Sequence, residues 1–319
     1  MKQSVMTRED NALIRRERWR RTCKSIRRMW PLYVFLLLPV LQVAIFQYGS
    51  MYGLQIAFKD FSPRLGILES PWNNFEHFRT LFNSAGFWRA FRNTLYINVL
   101  KMLFSFPAPI ILALLLNEVR FRKFKRVTQS ISYLPTFVSW VVLTGIIFEL
   151  LSTDRGPVNY IIKALTGHTV DFFTNGPLFV VMLIVSNVWQ TVGWNSVIYL
   201  AGLSSVDPAL YEAADIDGAN RFQKAMCISI PSIAPVITIM LILGLGKILE
   251  GGFDQILNMY NPLVMEYADI LDTYVYRMGI ENAQYDFSTA VGLFKNVIGL
   301  ILVLSTNAIV KKFSDYGIW

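Results

Sequence analysis

Six long apolar runs punctuate this chain, at residues 32–48, 94–116, 131–151, 178–203, 232–249 and 287–310. A helix of about twenty residues crosses the ~30 Å hydrocarbon layer of a bilayer, and each run approaches or exceeds that length once its flanks are included. A membrane strand would instead alternate apolar and polar residues over about ten positions. These runs are apolar throughout, so the expected fold class is an all-α integral membrane protein with six transmembrane helices. Composition agrees. Only 16% of the residues are charged and 54% are hydrophobic, against about 25% charged in soluble domains. The end of the fifth run is crowded by Gly244, Gly246 and Lys247.

The formal charge of +8 acquires meaning from its placement. Ten of the thirty lysines and arginines fall in residues 1–31, directly ahead of the first apolar run. With that arm inside, the inner connections hold nineteen basic residues and the outer ones eight, while Lys101, Lys247 and Lys295 fall within runs. Cytoplasmic loops carry such an excess, so both termini are expected in the cytoplasm of a multi-pass cytoplasmic-membrane protein. The charge forms a flank and no groove, which argues against a nucleic-acid partner. The arm is too long, and the first run too long, for a cleaved leader. Trp30, Tyr33, Tyr48, Trp88, Tyr133 and Phe287 stand at run edges, where amphipathic rings sit at the lipid headgroups. The chain thus divides into a basic arm (1–31), a six-helix transmembrane domain (32–310) and a short tail (311–319), with no linker to a second domain. Outer connections at 51–93, 152–177 and 250–286 are expected to form short helices and ordered loops that can receive a partner. Cys23 and Cys227 both fall in inner segments, where a disulfide is not expected. His77 and His168 stand at no metal-ligand spacing, so no metal is expected.

The inner connection between the fourth and fifth runs, residues 204–231, carries the most specific pattern. Asp207-Pro208 is a helix-start pair. Tyr211, Ala214 and Ile216 are read as one apolar side, Gly218 as a sharp turn, and Pro231 as the stop of a second short helix. The expected product is a compact helical knuckle. Its residues Glu212-Ala213-Ala214, three further positions, Gly218, nine further positions, Ile228, one position, then Ile230-Pro231, resemble the EAA loop of ABC importer permeases, with Ile230 standing where leucine is usual. The form Glu212-Ala213-Ala214-Asp215-Ile216-Asp217-Gly218-Ala219 is similar to the carbohydrate-uptake branch. The stretch 52–61 and the tail 311–319 resemble the LplB-like subgroup, whose members take up oligosaccharides, some containing uronic acids.

The resemblance implies a type I ABC importer permease fold. It also implies a saccharide substrate, a second homologous permease, two ATPase subunits and an extracytoplasmic solute-binding protein. Glu212, Ala213, Ala214, Asp215, Gly218, Ile228 and Pro231 would couple to the ATPase, and ATP and magnesium would be held by that partner. This chain has no nucleotide loop: Gly244-Leu245-Gly246-Lys247-Ile248 lacks the leading glycine and the hydroxyl after lysine. No nucleophile elbow or paired-carboxylate site supports an enzyme.

Polar residues inside the runs require a reason. Asn187, Gln190, Trp194 and Asn195 combine hydrogen-bonding amides with a flat ring, as a sugar site needs, and Asn187, Gln190 and Trp194 share one helix side. The same amides would equally serve to join neighbouring helices. Lys247 and Glu250, three apart, are spaced to pair. Lys295 and Asn296 lie deeper and are expected to face the translocation path, where Lys295 would favour an anionic uronide. The rival function is an ion-coupled secondary sugar carrier, which would show mid-membrane charge pairs and inverted repeats.

Overall fold

The computed structural model describes residues 28–313 together with Trp19, Lys24 and Ser25. Most of the basic arm, including Cys23, lies outside the described residues, as does the end of the tail. The chain separates into two units, residues up to Gln55 and residues from Ile56 onward.

In the first unit α1 (Trp30–Gln42) opens with Pro31 in its first turn and holds Pro39 inside. A proline withholds one N–H and presses on the carbonyl four residues back. The α-helix runs on regularly past Pro39 to Gln42, and a π turn follows at Val43–Tyr48. None of the apolar window of the Trp30–Phe58 span is buried. Apolar on every side, this rod suits lipid or a partner and cannot be a water-facing helix.

The second unit begins with an extramembrane segment containing α2 (Gly66–Glu69) and α3 (Glu76–Asn83), closed by a Lys59–Trp72 bridge. Next comes a long rod, α4 (Ala85–Ser105) followed by α5 (Pro107–Glu118), which starts nine residues earlier than the apolar run suggested. Ser84 caps it by accepting the Phe87 N–H.

The third run forms no straight rod. α6 (Arg122–Tyr133) and α7 (Trp140–Leu151) meet at 107° through a short 3-10 turn at Leu134–Phe137. Pro135 has no N–H to give, and Ser139 starts a new helix by accepting the Val142 N–H. α6 carries Arg122, Lys123, Lys125 and Arg126, so its first turns are too charged to enter hydrocarbon. Five straight spans and this bent pair make up the six expected crossings.

After α8 (Pro157–Thr166) the chain enters α9 (Gly176–Ser204), the centre of the bundle: 44% of its apolar window is buried, against 22% or less in every other straight span. Gly193 explains how α6 comes so close to it. A methyl group there would sit 2.0 Å from the Ser132 carbonyl oxygen. α10 (Pro208–Ile216) and α11 (Arg221–Lys224) form the 204–231 loop, and a π turn at Ala225–Ser229 leads into α12 (Ile230–Gly246). Ala113, Leu116, Tyr199, Leu203 and Ile233 lock α5, α9 and α12 together.

The connection 250–286 folds as expected into short helices, α13 (Phe253–Met259), α14 (Met265–Ala268) and α15 (Leu271–Tyr276), before α16 (Tyr285–Phe313) closes the chain. It is an ordered insert rather than a loop. Asn93 of α4 donates to the Glu266 and Asp269 carbonyls, Thr94 accepts the Leu271 N–H, and Asn98 donates to the Ile248 carbonyl. Buried Asp269 takes both arms of the Arg277 guanidinium, at 3.0 and 2.6 Å, and the Thr273 hydroxyl at 2.9 Å. These bonds satisfy backbone groups that would otherwise be stranded in an irregular buried segment.

Candidate functional site

The 204–231 loop is built from its caps upward. Asp207 accepts the Ala209 N–H and starts α10 with Pro208. α10 ends in a Schellman arrangement: Ala219 N–H donates to the Ala214 carbonyl at 2.9 Å and Gly218 N–H to the Asp215 carbonyl at 3.2 Å. This closure requires a left-handed residue at Gly218, where φ is +75°. Asn220 and Gln223 then form a reciprocal capping box at the start of α11. Two cross-links draw the helices into one body. The Tyr211 and Ser229 hydroxyls lie 2.9 Å apart, and Lys224 donates to Asp215 at 2.5 Å. Arg221 reaches Glu118 at the end of α5, at 3.8 Å.

Two expectations for this loop need correction. Pro231 does not stop the second helix, because α11, the π turn and α12 run on as one span, Arg221–Gly246. The π turn at Ala225–Ser229 lies where the proline ring would otherwise press on the Cys227 carbonyl four residues back. Nor does Ile216 join Tyr211 and Ala214. Five residues along a helix is a turn of about 140° beyond one revolution, so Ile216 faces outward, 88% exposed. With Leu210, Phe222 and Met226 it gives the knuckle an apolar exterior. Glu212, Ala213 and Asp215 are exposed beside it, while Ala214 and Ile228 are half-buried.

The residues expected on the solute path separate into three places. Asn187 donates to the Ser105 hydroxyl of α4 at 2.9 Å, so it joins two helices. Near Gln190 the contact is made by its backbone carbonyl, which accepts from Thr136. Trp194 packs edge-on against Phe137, ring centres 5.6 Å apart. Asn195 alone reaches a cavity, of about 370 Å³, between α4, α5, α9 and α12; Ser105, Tyr199 and Lys247 also line it. Lys295 is half-buried and forms an ion pair with Asp272 of α15, and Asn296 beside it is exposed. Lys247 and Glu250 share a backbone hydrogen bond of 2.8 Å but no ion pair.

One polar feature escaped the sequence reading. Lys101 of α4 is 7% exposed and donates to Gln255 at 2.6 Å and to the Gly251 carbonyl at 3.2 Å. Gln255, itself fully buried, donates to the Leu183 carbonyl and to the Ser186 hydroxyl, both at 2.8 Å. The apolar context around Lys101 marked it as an odd residue inside a span, but its partners come from a segment about 150 residues away. Among the described residues no cluster of histidine, cysteine or acidic side chains could hold a metal.

The geometry can be set beside known proteins. Residues 105–315 match the family described as binding-protein-dependent transport system inner membrane component. The LplB protein of Bacillus subtilis (strain 168) is 43% identical, over 97% of this chain and 93% of its own length. The polygalacturonan/rhamnogalacturonan transport system permease protein YteP of the same organism is 40% identical over 97% of both. A chain in the crystal structure of a bacterial ABC transporter involved in the import of the acidic polysaccharide alginate superposes with a TM-score of 0.84 at 41% identity, covering 92% of this chain and 99% of that one. A similar match comes from that transporter in complex with an alginate pentasaccharide-bound periplasmic protein. The bent third crossing, the α9 hub and the 204–231 knuckle thus belong to a shared architecture, and the chain is a member of the binding-protein-dependent inner membrane component family: a multi-pass permease subunit of a sugar-importing ABC transporter, with the ATPase on a separate chain.

Proposed function

We propose that this permease passes an acidic, uronic-acid-containing oligosaccharide across the cytoplasmic membrane, driven by ATP hydrolysis in two partner ATPase subunits that also hold the magnesium. A homologous permease completes the pathway, and an extracytoplasmic solute-binding protein delivers the saccharide at the end opposite the 204–231 knuckle. Both termini face the cytoplasm. Relatives that handle alginate, polygalacturonan and rhamnogalacturonan support the acidic substrate.

The observation that carries the coupling role is mechanical. The knuckle is braced by four internal contacts and continues without a break into α12, so a push on Glu212, Ala213, Ala214, Asp215 or Gly218 is delivered through Ile228 and Pro231 to a span that packs against α9. Its exposed Ile216 and Phe222 supply the apolar contact that a docking partner needs. Cys227 is exposed and unpaired, which gives a direct test. In a Cys23→Ser background, a membrane-impermeant maleimide should label Cys227 in inside-out vesicles and not in right-side-out ones. Labelling only from the outer side overturns the assignment, as does uptake that follows an ion gradient when ATP is withheld.

A further inference from the structure

We infer that Lys247 and Lys101 form a carboxylate-binding site for the acidic saccharide in the cavity between α4, α5, α9 and α12. The inference rests on the importer reading above and adds to it the groups that recognise the charge.

Both lysines line this cavity of about 370 Å³, Lys101 from within the α4–α5 rod and Lys247 from the end of α12, together with Asn195, Ser105 and Tyr199. The other lysine in a predicted span, Lys295, is neutralised by Asp272. Lys101 and Lys247 differ in this respect. Among the described residues neither has a carboxylate within ion-pair distance, and both hydrogen bonds of the Lys101 ammonium go to uncharged oxygens, on Gln255 and Gly251. A charge drawn into a bundle of apolar helices is costly unless something answers it. Two cations sharing one cavity with no anion also repel each other. A ligand bearing carboxylates relieves both terms, and the neutral amide and hydroxyls of Asn195, Ser105 and Tyr199 are suited to the sugar hydroxyls around them. Lys101 is held in place by Gln255 and the Gly251 carbonyl, so its position is fixed; Lys247, exposed at the end of α12, is free to reach the ligand. Because α12 continues from the knuckle, motion there would change the Lys101–Lys247 separation and with it the hold on the anion.

The test measures binding to the assembled permease–ATPase complex in lipid nanodiscs, without the solute-binding protein, by titration with trigalacturonate and with neutral galactotriose. The unaltered complex should prefer the uronide. Lys247→Gln should cut that preference about tenfold and Lys247→Arg should retain it. Lys101→Gln, which also disturbs the Gln255 link, should lower it further, and the double variant should abolish it. Equal affinity for the two sugars in the unaltered complex, or an undiminished preference in both glutamine variants, overturns the site. The importer reading fails on a different result: no ATP-driven uptake of either sugar by the unaltered complex in proteoliposomes.

Discussion

Gly218 shows what one residue contributes here. Its φ of +75° closes α10, yet a methyl group placed there would meet nothing within 4 Å. The cost of Gly218→Ala is therefore backbone strain alone, about 1–2 kcal/mol, concentrated in the knuckle. The variant should insert and assemble normally while losing most of the saccharide-stimulated ATPase activity of the complex, checked by comparing membrane yield with stimulated turnover. Asp269 is the opposite case. It is fully buried under Arg277, and the paired aspartate in turn holds the Arg277 guanidinium above its ordinary pKa. Asp269→Ala leaves that cation without its partner. Breaking a buried pair costs about 3–5 kcal/mol, so a large loss of thermal stability is expected in detergent. Arg277→Met with Asp269→Leu together should recover part of it. The two residues stand eight apart in sequence, but nothing in that spacing announces the pairing, because the break between α14 and α15 and the whole of α15 lie between them.

Elements here are defined by their defects as much as by their periodicity. Pro135 lies in a 3-10 turn and Pro231 stands just past a π turn, each a departure from regular α-helix. Only at Pro135 does the chain change direction. There the break lies between a charged amphipathic helix and an apolar one, so lipid and water favour opposite placements of the two halves. At Pro231 both sides pack in the same body, and the π turn keeps the rod continuous. Deleting one residue from 225–229 should restore an α turn and rotate the knuckle about 100° relative to α12. The expected outcome is a stable chain in which substrate no longer stimulates ATP hydrolysis. Gly193→Leu tests a second junction: its side chain has no room against the Ser132 carbonyl, so α6 should separate from α9 and the melting temperature should fall, with increased proteolysis between residues 122 and 139.

For the whole molecule, the distribution of burial is the informative quantity. α9 is buried like a core helix, while the other straight spans keep most of their apolar surface uncovered within this chain. A bundle with so little of its own interior leaves apolar faces for lipid and for the second permease proposed above. When the complex is purified from native membranes, a second permease and an ATPase should accompany this chain. Lysis in a harsh detergent that strips them should lower its melting temperature.

Much of this was determined by the linear order of residues alone. Runs of apolar residues longer than a bilayer is thick have few solutions, so the class, the number of crossings and the knuckle at 204–231 were legible in the linear order. The knuckle was legible because its Asp207, Gly218 and Asn220 act through bonds to neighbours at most five residues away. Side-chain roles within the spans were decided only by the tertiary structure. A lysine in an apolar helix reads the same whether its partner is an aspartate, a glutamine or a substrate. Asp272 meets Lys295, and Gln255 meets Lys101, because a folded insert between α12 and α16 is pinned to α4, and the energy of a buried charge depends on such distant partners.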